Sequence, residues 1–166
     1  MTDVFVINRR KLLGLGLALG VGGVLGSGPA EAAAEKTILF VCQAGTVKSA
    51  IARELFRARA SVRGIAINAI SRGLKPEDHV SPALKAHLTA DGIDTLRDPL
   101  RALDQATLDR ADVVVLFDPL PPSLSRPDAR DWTATPSMND DYARSRAFMD
   151  AHIEALLTEI AGKSGA

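Results

Sequence analysis

Only one cysteine, Cys42, occurs in the 166 residues. That excludes an intramolecular disulfide and a zinc site built from several thiolates. The three histidines, His79, His87 and His152, are scattered without the spacing of metal ligands. Neither a metal nor another cofactor is therefore expected. No sign of charge prevails: 20 Lys and Arg stand against 20 Asp and Glu. The balance removes the electrostatic ground for expecting nucleic acid or an anionic membrane surface as a partner. A chain of this length suits one domain. Residues 33–166 hold no internal repeat or low-complexity tract.

The first segment has a composition of its own. Arg9-Arg10-Lys11 is followed by an uncharged run over residues 12–29, rich in Leu, Val and Gly, and then by Ala30-Glu31-Ala32. Basic region, apolar region and small-x-small end are in the order of an export signal. An Arg pair ahead of a weakly apolar run resembles the twin-arginine type. Asn8 stands where that type usually has Ser or Thr, and Lys11-Leu12-Leu13 where it has Phe soon after the pair. Six glycines over residues 14–26 lower the helix propensity. The run is also shorter than a good spanning helix. The expectation is an export signal over residues 1–32, removed after Ala32. It would deliver the domain of residues 33–166 to a bacterial periplasm without stable membrane insertion.

The remainder alternates strand and helix patterns. Residues 37–41, Thr-Ile-Leu-Phe-Val, read as a buried parallel strand. A helix is expected over residues 49–60, where Ile51 with Leu55 and Ala52 with Phe56 make apolar pairs one turn apart. Residues 65–70 are rich in β-formers. Ser81-Pro82 opens a helix that Gly92 ends. Asp104 caps a short helix ending near Asp112, and residues 113–117 form another apolar strand. A short strand is expected near residues 95–100. Residues 118–137 hold five of the nine prolines and read as an irregular loop. The last helix spans residues 140–161, with Met149, Ile153, Leu156, Leu157 and Ile160 as its buried stripe. Such alternation predicts an α/β fold: three layers, a four-stranded parallel sheet with helices on both faces. Ligands of such sheets bind beyond the C-terminal ends of the strands, which directs attention to the residues after Val41.

Those residues are Cys42-Gln43-Ala44-Gly45-Thr46-Val47-Lys48-Ser49. They set a thiol between a strand end and a helix start, where free amides and the helix dipole attract an anion. The same field favours the thiolate of a cysteine. Gly45 can take a left-handed conformation that curls the amides inward. Lys48 can return a positive charge to the centre, and Ser49 can donate a hydrogen bond to the thiolate. A thiolate among anion-binding donors suits attack on a phosphoryl group. A buried structural cysteine is the other reading of such a residue.

The strand Ile38-Leu39-Phe40-Val41, Cys42, the step to Lys48, and Ser49 before an Ala-rich helix resemble the signature of low-molecular-weight protein tyrosine phosphatases. Related arsenate reductases share this loop. Ser71-Arg72-Gly73 resembles the Ser-x-Gly that ends the family's second strand, and the likeness extends over residues 36–160. It implies that Cys42 is a nucleophile forming a phosphocysteine. It also implies that Gln43, Ala44, Gly45, Thr46, Val47 and Lys48 hold the phosphate, and that Ser49 favours the thiolate. Gly45 falls where the family usually has Asn.

Several positions depart from the family pattern. Lys48 replaces an Arg, exchanging a two-pronged fork for a point charge. Val47 replaces a second loop cysteine, so a relay of several thiols cannot run within this chain. The family's general acid lies in a late Asp-Pro pair. Asp118-Pro119 has the dipeptide but comes early, while Asp140 and Asp141 lie nearer the expected place without a proline. Asp140 is the expected acid, although either late carboxylate also suits a helix cap. Trp132 and Tyr142 are candidates for pocket walls or for cover of the core. The resemblance thus implies a phosphatase acting on phosphotyrosine or a small phosphomonoester. The alternatives are a weakly active module that binds an oxyanion or a phosphorylated protein, and an arsenate reductase using an external thiol. The expected partner is a phosphorylated substrate or an inorganic oxyanion.

Overall fold

A computed structural model describes residues 35–164 of the chain, with side chains as far as residue 162. The export signal expected over residues 1–32 lies outside the described residues. In chain order the elements are β1 (Lys36–Cys42), α1 (Lys48–Val62), β2 (Ile67–Gly73), α2 (Pro82–Ala90), α3 (Gln105–Arg110), β3 (Val113–Leu116), β4 (Arg130–Asp131) and α4 (Tyr142–Ser164). Ile38, Leu39, Phe40 and Val41 are wholly buried because β1 is central: the sheet order is β2-β1-β3-β4 and every pairing is parallel. A strand covered on both faces has no polar side to alternate with.

Successive side chains of β1 serve opposite faces. Ile38 and Phe40 pack in one cluster with Ile51, Leu55 and Phe56 of α1 and with Met149, Ile153 and Leu157 of α4. Leu39 and Val41 pack on the other side with Leu108 of α3, Ala111 and Val114. Helices therefore cover both faces of a four-stranded parallel sheet, as the alternation predicts. Among the described residues no helix is long and apolar enough to cross a membrane.

The expected helix starts are made by the expected residues. Ser81 Oγ accepts the Leu84 N–H at 3.3 Å, and Asp104 Oδ1 accepts that of Thr107 at 2.6 Å. α4 begins at Tyr142 rather than at residue 140. Asp141 caps it, Oδ1 accepting the Arg144 N–H at 2.9 Å.

Two elements differ from expectation. Residues 95–100 form no strand; the fourth strand is β4, a two-residue edge within the proline-rich segment. Side chains rather than a ladder hold residues 94–98. Asp94 Oδ1 accepts the Leu96 N–H at 3.0 Å, and Asp98 pairs with Arg57 at 2.6 Å. Beneath them Arg53, only 2% exposed, donates to Ser71 Oγ at 2.8 Å, to the Thr95 carbonyl at 3.2 Å and to Glu54 at 2.9 Å. One buried guanidinium thus ties α1 to β2 and to the segment that fails to become a strand. Arg53→Ala is expected to cost about 3 kcal/mol, read as a lowered urea midpoint. That is the low end for a broken buried pair, since Arg57 and Arg97 still face Glu54.

Candidate active site

Cys42 ends β1 opposite Gly73 and is 3% exposed. The loop after it is hung from the segment that follows β2. The carbonyls of Cys42, Gln43 and Ala44 accept the N–H groups of Leu74, Lys75 and Glu77 at 3.0, 2.8 and 3.0 Å. Thr46 Oγ1 donates to the Glu77 carbonyl at 2.7 Å. Carbonyls drawn outward leave the amides of the same peptides turned inward, the arrangement of an anion-binding nest. One inward amide already reaches the sulfur: Gly45 N–H donates to Cys42 Sγ at 3.2 Å. Ser49 Oγ lies 3.0 Å from the same sulfur.

Gly45 has φ +79°, and a Cβ there would lie 2.8 Å from Gly73 N and 2.9 Å from Gly73 Cα. A Cβ on Gly73 would in turn lie 2.8 Å from the Ala44 carbonyl oxygen. Both glycines are thus required by a backbone-to-backbone approach. α1 begins at the end of this loop with Val47 as its N-cap residue, and no side chain caps it. Its first amides remain available to an anion.

A cleft of about 320 Å³ opens above the thiol. Cys42, Gln43, Ala44, Val47 and Lys48 form its floor and one side; Asp118 and residues 137–139 form the others. Lys48 Nζ donates to the Thr135 carbonyl at 2.8 Å, and Asp118 Oδ2 accepts the Gln43 N–H at 2.8 Å. A larger cavity of about 800 Å³ runs along α1 and α4. It has no cysteine or histidine, and its arginines are matched by carboxylates, Arg59 with Asp150, Arg146 with Asp91 and Arg97 with Glu54. The thiol chemistry belongs to the smaller cleft. Among the described residues no three His, Cys, Asp or Glu side chains gather as metal ligands do.

The candidates from the sequence separate into groups. Cys42, Gln43, Ala44, Val47 and Lys48 line the cleft, and Gly45 and Ser49 touch the sulfur from beneath. Thr46, 1% exposed, is committed to the Glu77 carbonyl. Asp140 is exposed in the turn before α4 and is not among the lining residues. Asp118 is. Its position had a signal: a residue just past the strand beside β1 must lie at the same sheet edge. Ser137, Met138 and Asn139 had none, since their loop returns to the cleft only through tertiary packing. Trp132 belongs to the core, its ring 6.0 Å from that of Phe40 and 5.7 Å from that of Phe117. Tyr142 stacks on His87 and donates to Asp91 at 2.6 Å. Burial, aided by Asp91, holds its hydroxyl above the usual tyrosine range.

An open parallel α/β sheet with a single buried cysteine in an amide-lined loop at its C-terminal edge defines a cysteine-based phosphatase or arsenate reductase. The family model described as low molecular weight phosphotyrosine protein phosphatase matches residues 37–126, more than half of the chain, and the chain belongs to that family. Solved structures agree in fold. YfkJ from Bacillus subtilis is similar with a TM-score of 0.63 at 18% identity, over 78% of this chain and 96% of that one. An arsenate reductase in the phosphate binding state gives 0.59 at 22% identity, over 75% and 98%. The low molecular weight protein tyrosine phosphatase from T. tengcongensis gives 0.55 at 20% identity, over 78% and 99%. A comparison with curated proteins finds no match.

Proposed function

We propose that the chain is a phosphatase of phosphotyrosine or a small phosphomonoester, working through a phosphocysteine. The observation that carries this reading is Cys42 Sγ, held 3.2 Å from the Gly45 amide and 3.0 Å from Ser49 Oγ beneath a cleft walled by Lys48. The thiolate attacks phosphorus; the S–P bond forms as the P–O ester bond breaks, and the leaving oxygen takes a proton from solvent water. Inward amides and Lys48 stabilise the charge on the equatorial oxygens. Water then cleaves the S–P bond and returns thiolate and phosphate. Hydrolysis of an aryl phosphate by the reduced full chain, with Cys42→Ser beside it, tests the reading.

One feature favours a second reading, an oxyanion- or phosphoprotein-binding module of weak turnover. Lys48 Nζ is engaged by the Thr135 carbonyl, and the Gln43 amide by Asp118. Under that reading phosphate protects Cys42 from alkylation while no aryl phosphate is turned over. The likeness to an arsenate reductase supports a third, arsenate reduction, for which the thiol relay must come from outside the chain.

Export belongs to the same proposal, motivated by Arg9-Arg10, the glycine-rich apolar run and Ala30-Glu31-Ala32. Mass spectrometry of the protein from its native bacterium is expected to find a periplasmic chain starting near Ala33. A dominant cytoplasmic species that retains residues 1–32 overturns it.

A further inference from the structure

We infer that Asp118 makes the cleft select oxyanions that carry a proton, so that hydrogen phosphate, hydrogen arsenate or a phosphomonoester monoanion is accepted and sulfate is rejected. The inference rests on the reading of the 42–49 loop as an oxyanion site and adds the chemical class of ligand that it takes. Asp118 is fixed by the sheet. The preceding residue, Phe117, is 1% exposed and its N–H donates to the Val41 carbonyl at 2.8 Å, so the chain just past β3 is tied to β1 one residue before the thiol. The Asp118 side chain then reaches the first loop amide, with Oδ2 2.8 Å from Gln43 N, and lines the cleft. Oδ1 takes no hydrogen bond from the described residues.

An ionised carboxylate only accepts hydrogen bonds. A ligand oxygen hydrogen-bonded to it must therefore bring the proton; without one, two acceptors of like charge face each other. Elsewhere the cleft offers the opposite chemistry: the loop amides, the uncapped start of α1 and Lys48 all donate. A ligand with several acceptor oxygens and one hydroxyl fits both halves. Hydrogen phosphate and sulfate are both tetrahedral dianions and differ in that proton. Phosphomonoesters lose their second proton at a pKa of about 6, so the protonated form is at hand near neutrality.

The test uses the reduced full chain at neutral pH and reads the rate of Cys42 alkylation by iodoacetamide against added sodium phosphate or sodium sulfate at equal ionic strength. Half-protection is expected at a sulfate concentration about 10- to 100-fold above that for phosphate, the span of one charge-assisted hydrogen bond made or missed. Asp118→Asn can still accept the Gln43 N–H through its carbonyl oxygen while its amide donates to the ligand. In that variant the two ions are expected to protect within about threefold of each other, mainly through a gain for sulfate. Equal protection by both ions in the wild-type chain overturns the role of Asp118 and leaves the loop reading standing, whether or not the variant folds. A preference that survives in a folded Asp118→Asn chain overturns it as well. No protection by either ion overturns the loop reading and this inference with it.

Discussion

Cys42→Ser in the full chain is expected to lower kcat/KM on an aryl phosphate by roughly ten-thousand-fold or more. The loss is chemical rather than steric. Serine fits where cysteine sits, and the contacts with the Gly45 amide and Ser49 Oγ have counterparts for an oxygen. What is lost is the thiol nucleophile of the proposed mechanism. A hydroxyl needs a neighbouring base to attack phosphorus. Among the described residues the cleft has one carboxylate, Asp118, already engaged with the Gln43 amide, and no histidine. Circular dichroism and the urea midpoint of the variant should stay close to wild type, so the loss falls on chemistry. A folded variant that keeps appreciable turnover would place the reaction at another group.

Gly45→Ala is expected to cost about 2–3 kcal/mol of stability and to lower kcat/KM about a hundredfold. Two penalties meet at this position. The residue has φ +79°, where a side chain is strained, and the new Cβ would lie 2.8 and 2.9 Å from backbone atoms of Gly73. Backbone cannot rotate aside as a side-chain end can. The loop must lift, and with it the amide that meets Cys42 Sγ at 3.2 Å. Gly64 separates the two penalties. Its φ is +65°, yet nothing lies within 4 Å of a Cβ built there. Gly64→Ala should cost only the strain, about 1 kcal/mol, and leave kcat/KM unchanged. Urea titrations and steady-state kinetics of both variants check the pair. Equal loss of activity at the two positions would exclude the contact with Gly73 as the cause.

The parts of this molecule that the sequence states clearly are those where one physical demand dominates. β1 and β3 are runs of apolar residues because a central parallel strand is covered twice. Ser81-Pro82 and Asp104 announce helix starts because orphan amides need an acceptor. The Cys42 loop is legible for the same reason, since thiol, glycine, cation and hydroxyl are spaced along one turn of chain. β4 is illegible: it has two exposed residues, Arg130 and Asp131, and only the pairing with β3 makes them a strand. Residues 95–100 carry Thr, Leu and a hydrophobic flank, but the ion pair of Asp98 with Arg57 prevails over that pattern. Asp118 depends on strand order. Whether β3 lies beside β1 or at an edge decides if that carboxylate meets the loop, and the order β2-β1-β3-β4 is a property of the assembled sheet.

The hydrogen bond from Gln43 to Asp118 closes 75 residues of chain, and that from Lys48 to Thr135 closes 87. The sides of the cleft that face the loop are therefore supplied by residues distant in sequence. Closing loops of this length costs entropy that is recovered only when the core clusters on both sides of β1 have formed. The thiol loop and α1 are local and can be in place early, but a cleft around the sulfur exists only once the last third of the chain has docked. Recovery of the enclosed thiol during refolding thus marks completion of the whole sheet. Its loss on heating or in denaturant belongs to global opening of the sheet rather than to local fraying.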